Sequence, residues 1–197
     1  MHRTDELHLR RAVELADSAG REGNHPFGAV IATGTRVIAE GRNGVVTTGN
    51  VLTHAETAAI EVAVSAGEAA ALIGATIYAS GEPCPMCAGA IVWAGITRVV
   101  FAAAEPDFAP IIGRRPRFGE LRCVDVVRAA DSSIAVDGPA LGEDGLAPFR
   151  GYVRGYGAAS GVEIADDHTG DLVQGRLIVA GDDDLGAEGG AEGHDHQ

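Results

Sequence analysis

The chain has 197 residues, 46% hydrophobic and 22% charged, enough for one domain with a core or one domain plus a tail. Its formal charge is −13, lysine is absent and all 15 cationic side chains are Arg, a composition that disfavours a nucleic-acid partner. No apolar stretch approaches the ~20 residues of a membrane helix and the N-terminus lacks the apolar run of a signal peptide, so a cytoplasmic protein without membrane attachment is expected.

In chain order, Asp5 to Ala19 reads as an amphipathic helix, with Leu7, Ala12, Leu15, Ala16 and Ala19 on one face, Thr4 as its cap and Gly20 as its end. After His25-Pro26-Phe27-Gly28, the runs Ala29-Val30-Ile31-Ala32 and Val37-Ile38-Ala39 flank a Gly-containing turn and predict a β-hairpin. Gly41 to Thr53 reads as a loop. His54 to Ala66 reads as a helix, Thr76 to Ala79 as a strand, Cys84 to Ala94 as a helix opened by prolines, and Arg98 to Ala102 as a strand. Strands alternating with helices beside a hairpin imply a three-layer α/β/α fold with a mixed central sheet. Beyond Pro106, Cys123 to Val127 and Ile134 to Val136 suggest further strands, and Leu146 to Tyr156 a short helix. From Ala158 onward ten acids stand against Arg176 alone, leaving 18 acids and 14 arginines before it. Residues 1–157 are therefore read as one domain and 158–197 as an acidic, Gly-rich and partly disordered tail, with Leu177-Ile178-Val179 as an edge strand. Arg114, Arg115 and Arg117 form a local basic patch, and His168, His194 and His196 read as solvated tail residues.

Two short segments carry chemistry: His54-Ala55-Glu56 and Pro83-Cys84-Pro85-Met86-Cys87. Either alone is weak, since C-x-x-C also suits a redox pair. Together they match the H-x-E…P-C-x-x-C signature of zinc deaminases. Two thiolates three apart at the start of a helix point the same way, and the helix dipole favours the ionised form that zinc requires. His54, Cys84 and Cys87 then give three ligands to Zn2+ and leave the fourth tetrahedral position to water, as a catalytic site needs. Glu56, two residues past His54, can move protons beside the metal; the plainer reading is a first-turn acid favoured by the dipole. Cys123, in an apolar run, reads as a buried strand residue.

From His25 to about Ala104 the chain resembles the cytidine-deaminase superfamily, and within it the guanine-deaminase-like branch that acts on free bases. The shared words are Pro26-Phe27-Gly28-Ala29-Val30, Arg42-Asn43, His54-Ala55-Glu56, Glu82-Pro83-Cys84-Pro85-Met86-Cys87-Ala88-Gly89-Ala90-Ile91 and Trp93. The resemblance implies hydrolysis of the exocyclic amine of a small aminated heterocycle: attack by zinc-bound hydroxide, proton transfer by Glu56 and loss of ammonia. Guanine is the first substrate expected, and a cytosine-like pyrimidine or triazine base the next. It implies a substrate pocket with Asn43 on the base, Phe27 lining it, Trp93 as a stacking wall and the Ala55 N–H as a donor. The plainer readings are a turn Asn, a core Phe and a core Trp. It also implies a homodimer and a capping segment from about residue 107, where Asp107, Glu120, Glu143, Phe149 and Tyr152 are candidates for closing the pocket. Two alternatives stand beside it: a tRNA adenosine deaminase, which shares much of the same wording, and a non-catalytic zinc-binding interaction module.

Overall fold

The computed structural model describes residues 2–130 and 133–155. The chain divides into Met1–Ala165 and Asp166–Gln197, and all described residues belong to the first unit. The anticipated tail, its strand at Leu177-Ile178-Val179, and His168, His194 and His196 fall outside the described residues.

Helix α1 (Arg3–Arg21) starts two residues earlier than its sequence signal, with His2 rather than Thr4 at the N-cap. The His2 N–H donates to the Asp5 carboxylate at 3.2 Å, which closes the helix start from within the first turn. Leu9, Ala12, Leu15, Ala16 and Ala19 are buried, whereas Leu7 is 63% exposed and does not share their face. Gly20 is a buried helical residue, not the terminator.

Strands β1 (Gly28–Thr33) and β2 (Arg36–Arg42) form the expected antiparallel hairpin. The following loop holds one helical turn, α2 (Val45–Thr48), absent from the sequence reading because its signal is long-range. Asn24, buried 22 residues upstream, accepts the Val46 and Thr47 N–H groups at 3.0 Å each. Then come α3 (Ala55–Ser65), a 3-10 turn at Ala69–Leu72, β3 (Thr76–Gly81), α4 (Pro85–Trp93) and β4 (Arg98–Ala103). The last described elements are α5 (Glu105–Phe108), α6 (Cys123–Ala129), β5 (Ala135–Asp137) and α7 (Glu143–Gly155). Cys123 therefore opens a helix and is not in a strand. A short apolar run fits either state, and what decides is the Arg122 N–H donating to Asp125 at 2.9 Å, a helix-start bond. Cys123 is buried, as expected.

The sheet order is β2-β1-β3-β4-β5, with β1 antiparallel to β2 and β3, and β3-β4-β5 parallel. This is the mixed sheet that the alternation predicts. Residues alternate across it. Val30, Ala32, Tyr78, Val100 and Ala102 pack under α1, while Ala29, Ile31, Ile77, Ala79, Val99 and Phe101 pack under α3, α4 and α6. Small side chains let the layers approach closely. A Cβ on Gly28 would lie 2.3 Å from the Ala12 carbonyl oxygen of α1, and one on Gly41 would lie 2.2 Å from the Ala55 carbonyl oxygen of α3. Glycine at 41 thus seats the first turn of α3 directly against β2, and that turn carries His54 and Glu56.

Candidate active site

His54 occupies the N-cap of α3 and Cys84 the N-cap of α4, both in extended conformation; Cys87 follows in the first turn of α4. Pro85 at the first helical position fixes the entry of α4. Two helix starts therefore face one another at the carboxyl ends of β3 and of the loop after β2. His54 Nδ1 lies 3.6 Å from Cys84 Sγ and 3.5 Å from Cys87 Sγ, and the two sulfurs are 3.6 Å apart. Tetrahedral zinc with Zn–S of about 2.3 Å and Zn–N of about 2.0 Å sets edges of roughly 3.8 Å between sulfurs and 3.5 Å between sulfur and nitrogen. The triangle matches those edges, so these three residues could hold a metal ion.

The electrostatics suit the same use. The hydrogen bond with Cys87 and the one with His54 bring the Cys84 thiol down to about 4, against the effect of burial. Cys87 is pushed up by its bond with Cys84 and by burial. Two sulfurs this close share one proton, which a dication would displace. Glu56 is 5% exposed. Burial pushes its carboxyl above the ordinary range, and the charge of Cys84 adds to that. A carboxyl whose proton is held more tightly than usual, beside a metal-type triangle, has the chemistry of a group that gives and takes protons.

Around this centre, Asn43 is buried and its Oδ1 accepts the Val45 N–H at 3.2 Å, as a turn Asn does. Its Nδ2 has no bond to any described residue and is not sealed from solvent. The Asn43 N–H donates to the Phe27 carbonyl at 3.0 Å, tying the loop to the start of β1. The Ala55 N–H, at the first position of α3, has no intrahelical acceptor. Phe27 is half-buried and meets Phe108 and Phe149 edge-on, with centroids 5.4 and 5.3 Å apart; those two rings stack at 4.7 Å. Phe149 is fully buried in that cluster, so the C-terminal segment reaches this end of the site through Phe108 and Phe149.

Trp93 is 92% exposed, in neither the core nor the pocket of this chain. Six positions along a helix turn it about 240° from Cys87, away from the face that bears the thiols. Asp107 is exposed on α5, and Glu143 is exposed and paired with Arg150, so neither joins the cluster. Glu120 is exposed and Tyr152 half-buried.

Sequence reasoning missed two features. Glu82, 7% exposed at its side chain, binds the Arg122 guanidinium and accepts the Glu105 and Cys123 N–H groups at 3.3 Å each. One carboxylate thus fastens the starts of α5 and α6 to the loop that leads into Cys84. Its position before Pro83-Cys84 is visible in the sequence, but its partners lie 23 to 41 residues away. Similarly, His25 accepts a hydrogen bond from Arg114, 2.7 Å between Nη2 and Nε2, across 89 residues.

Residues 2–103 match the family described as cytidine and deoxycytidylate deaminase zinc-binding region. The probable cytosine deaminase of Schizosaccharomyces pombe is 32% identical over 156 residues, 77% of this chain and 93% of that protein. The tRNA-specific adenosine deaminase of Bacillus subtilis is 40% identical over 102 residues, 52% of this chain and 63% of that protein. The solved guanine deaminase of Nitrosomonas europaea is 26% identical with a TM-score of 0.66, covering 75% of this chain and 83% of that one.

Proposed function

The chain belongs to the cytidine and deoxycytidylate deaminase family, hydrolases of C–N bonds in cyclic amidines, and from that premise we propose that it deaminates a free aminated nucleobase, guanine first and a cytosine-like or triazine base next. The observation that carries the reading is the buried carboxyl of Glu56 beside the His54, Cys84 and Cys87 triangle.

In this reading His54, Cys84 and Cys87 hold zinc. Bound zinc supplies Lewis acidity and brings the pKa of a coordinated water toward neutral. Glu56 carries the protons: it accepts one from water and delivers it to the ring nitrogen beside the amino-bearing carbon, then accepts the second from the hydroxyl added to that carbon and delivers it to the departing amine. Water and the aminated base give the oxo base and ammonia, so atoms balance without a further reagent. The Nδ2 of Asn43 donates to an acceptor on the ring, the Ala55 N–H donates to an oxygen at the reacting carbon, and the edge of Phe27 bounds the base.

Glu56→Ala should retain metal and fold while ammonia release disappears, and turnover that survives the change sinks the mechanism; a non-catalytic zinc module predicts instead no ammonia release from the wild type, with the zinc ligands needed only for folding. A screen of ammonia release over guanine, cytosine, adenine, isocytosine and triazine amines selects the base. The Bacillus subtilis relative supports a second reading, a tRNA adenosine deaminase. Salt-dependent tRNA binding together with inosine formation would establish that reading over the first, and the −13 charge weighs against it. A cytoplasmic homodimer belongs to the main reading, with the exposed Trp93 and Ile73 as apolar surface available to it. No helix among the described residues is long and apolar enough to cross a membrane.

A further inference from the structure

The arginines of this acidic chain are mostly neutralised in place. Arg10, Arg11, Arg21, Arg36, Arg42, Arg98, Arg122 and Arg150 each pair with at least one carboxylate. Among the described residues Arg3, Arg128 and Arg154 pair with none, and neither do Arg114, Arg115 and Arg117, which alone of these six stand together in sequence. The segment is anchored, since the Arg114 N–H donates to the Ala109 carbonyl at 2.8 Å just past α5. The Arg114 guanidinium then reaches back to His25, 2.7 Å from its Nε2. His25 is two residues before Phe27, whose carbonyl holds the Asn43 N–H. Arg114 and His25 also lie within electrostatic range of His54, which places the guanidinium beside the His54, Cys84 and Cys87 triangle.

The partner that Arg114 does have supplies no charge. A guanidinium can only donate, so the His25 Nε2 that faces it at 2.7 Å is an unprotonated acceptor and brings no negative charge. A neutral imidazole orients the guanidinium and leaves its full positive charge uncompensated. Deamination of an uncharged base makes no use of such a charge at the rim. A guanidinium with its remaining N–H groups free presents the planar fork that fits a carboxylate or a phosphate.

We propose that Arg114, aided by Arg117, is a specificity-determining anion reader at the mouth of the site, so that the preferred aminated heterocycle carries a carboxylate or phosphate substituent. This rests on the small-molecule deaminase reading above and shifts its preferred substrate from the neutral free base to an aminated heterocycle that bears an anionic group.

The test compares kcat/KM of the zinc-loaded full chain on cytosine against 5-carboxycytosine and on guanine against guanosine 5′-monophosphate. Wild type, Arg114→Gln, Arg114→Lys and Arg117→Gln are measured at low and at high salt. The expected result is that at least one anionic compound is preferred over its neutral parent. That preference should fall about tenfold in Arg114→Gln, less in Arg117→Gln, recover in part in Arg114→Lys, and weaken with salt. A wild type that prefers both neutral parents, or a ratio that Arg114→Gln leaves unchanged, overturns the proposal. If none of the four compounds releases ammonia, the small-molecule reading has failed for them, and calorimetric titration with inorganic phosphate decides the anion reader by itself. Binding weakened about tenfold in Arg114→Gln supports it; no binding to wild type overturns it. Binding of tRNA that depends on Arg114 while small oxyanions do not bind also overturns it, in favour of an RNA backbone.

Discussion

The two faces of the sheet each bury a carboxylate near the start of a helix, and the two acids are treated in opposite ways. Asp5, on α1, is 4% exposed and receives the Arg98 guanidinium at 2.7 and 3.1 Å, the Tyr78 hydroxyl at 2.9 Å and the His2 N–H at 3.2 Å. Arg98 holds its carboxyl well below the usual range, with Tyr78 and His2 adding, against burial. Glu56, on α3, is 5% exposed and forms no ion pair with an arginine among the described residues; burial and the charge of Cys84 outweigh its bond with Cys87 and the charge of His54, so its proton is held more tightly than usual. Burial beside a guanidinium makes a structural anchor, and burial without one leaves a carboxyl suited to the proton transfers proposed above. The difference separates the face that stabilises the fold from the face that carries the chemistry, across one layer of strands.

Exchanging each acid for its amide tests this division. Glu56→Gln is expected to reduce kcat by roughly 10²–10⁴. Its melting temperature should hold or rise, because the change removes a poorly solvated carboxyl. A clear loss of melting temperature would mean that Glu56 is an anchor like Asp5 and that the two faces do not differ. Asp5→Asn should do the reverse, lowering stability by about 3 kcal/mol in chemical denaturation and leaving kcat of the folded fraction unchanged. The sign with pH follows from the depressed carboxyl. Its contribution is fully present above the ordinary value of 3.8 and is lost as pH falls through the lower folded value, so Asp5→Asn should flatten the acid limb of the stability curve.

The chemical face was the more legible of the two in the sequence. His54, Glu56, Cys84 and Cys87 sit in two local words whose spacing reflects helix starts, so short-range pattern sufficed. The sheet could be read through period-two runs such as Thr76 to Ala79 and Arg98 to Ala102. What escaped was long-range. Nothing local ties Asp5 to Arg98 across 93 residues or Asn24 to α2 across 22. Cys123 was misassigned because a short apolar run lacks a period of its own. Trp93 is a pocket wall only by family resemblance, whereas helical arithmetic from Cys87 turns it away from the thiol face.

Glu82 is an anchor of the Asp5 kind on the other face, so it blurs the division and can sharpen it. Glu82→Gln keeps the shape but weakens the hold on Arg122 and on the starts of α5 and α6. A loss of about 2 kcal/mol is expected. Faster amide exchange over residues 105–123 should accompany it, with exchange in α1 unchanged. Exchange that rises equally in α1 would show one cooperative unit instead of two differently held faces.

The smallest expected effect is a pair of pH slopes, one from each face. On the α1 face, burial and the bond to Asp5 raise Tyr78 to about 12, so the folded state holds a proton that the unfolded chain releases near 10. Stability is therefore full below pH 10 and falls between 10 and 12. On the site face, His25 at about 4 resists a proton that the unfolded chain accepts near 6.5. Stability there is full above pH 6.5 and falls as pH drops toward 4, because the unfolded state binds more protons in that window. Full linkage of shifts of this size would give about 3 kcal/mol each, and solvent screening should reduce each slope to about 1–2 kcal/mol. Tyr78→Phe should erase the alkaline slope alone and His25→Gln the acidic one alone, as read from urea midpoints across pH. If either substitution altered both slopes, the two faces would share an electrostatic environment, and the contrast between Asp5 and Glu56 could not be assigned to their separate partners.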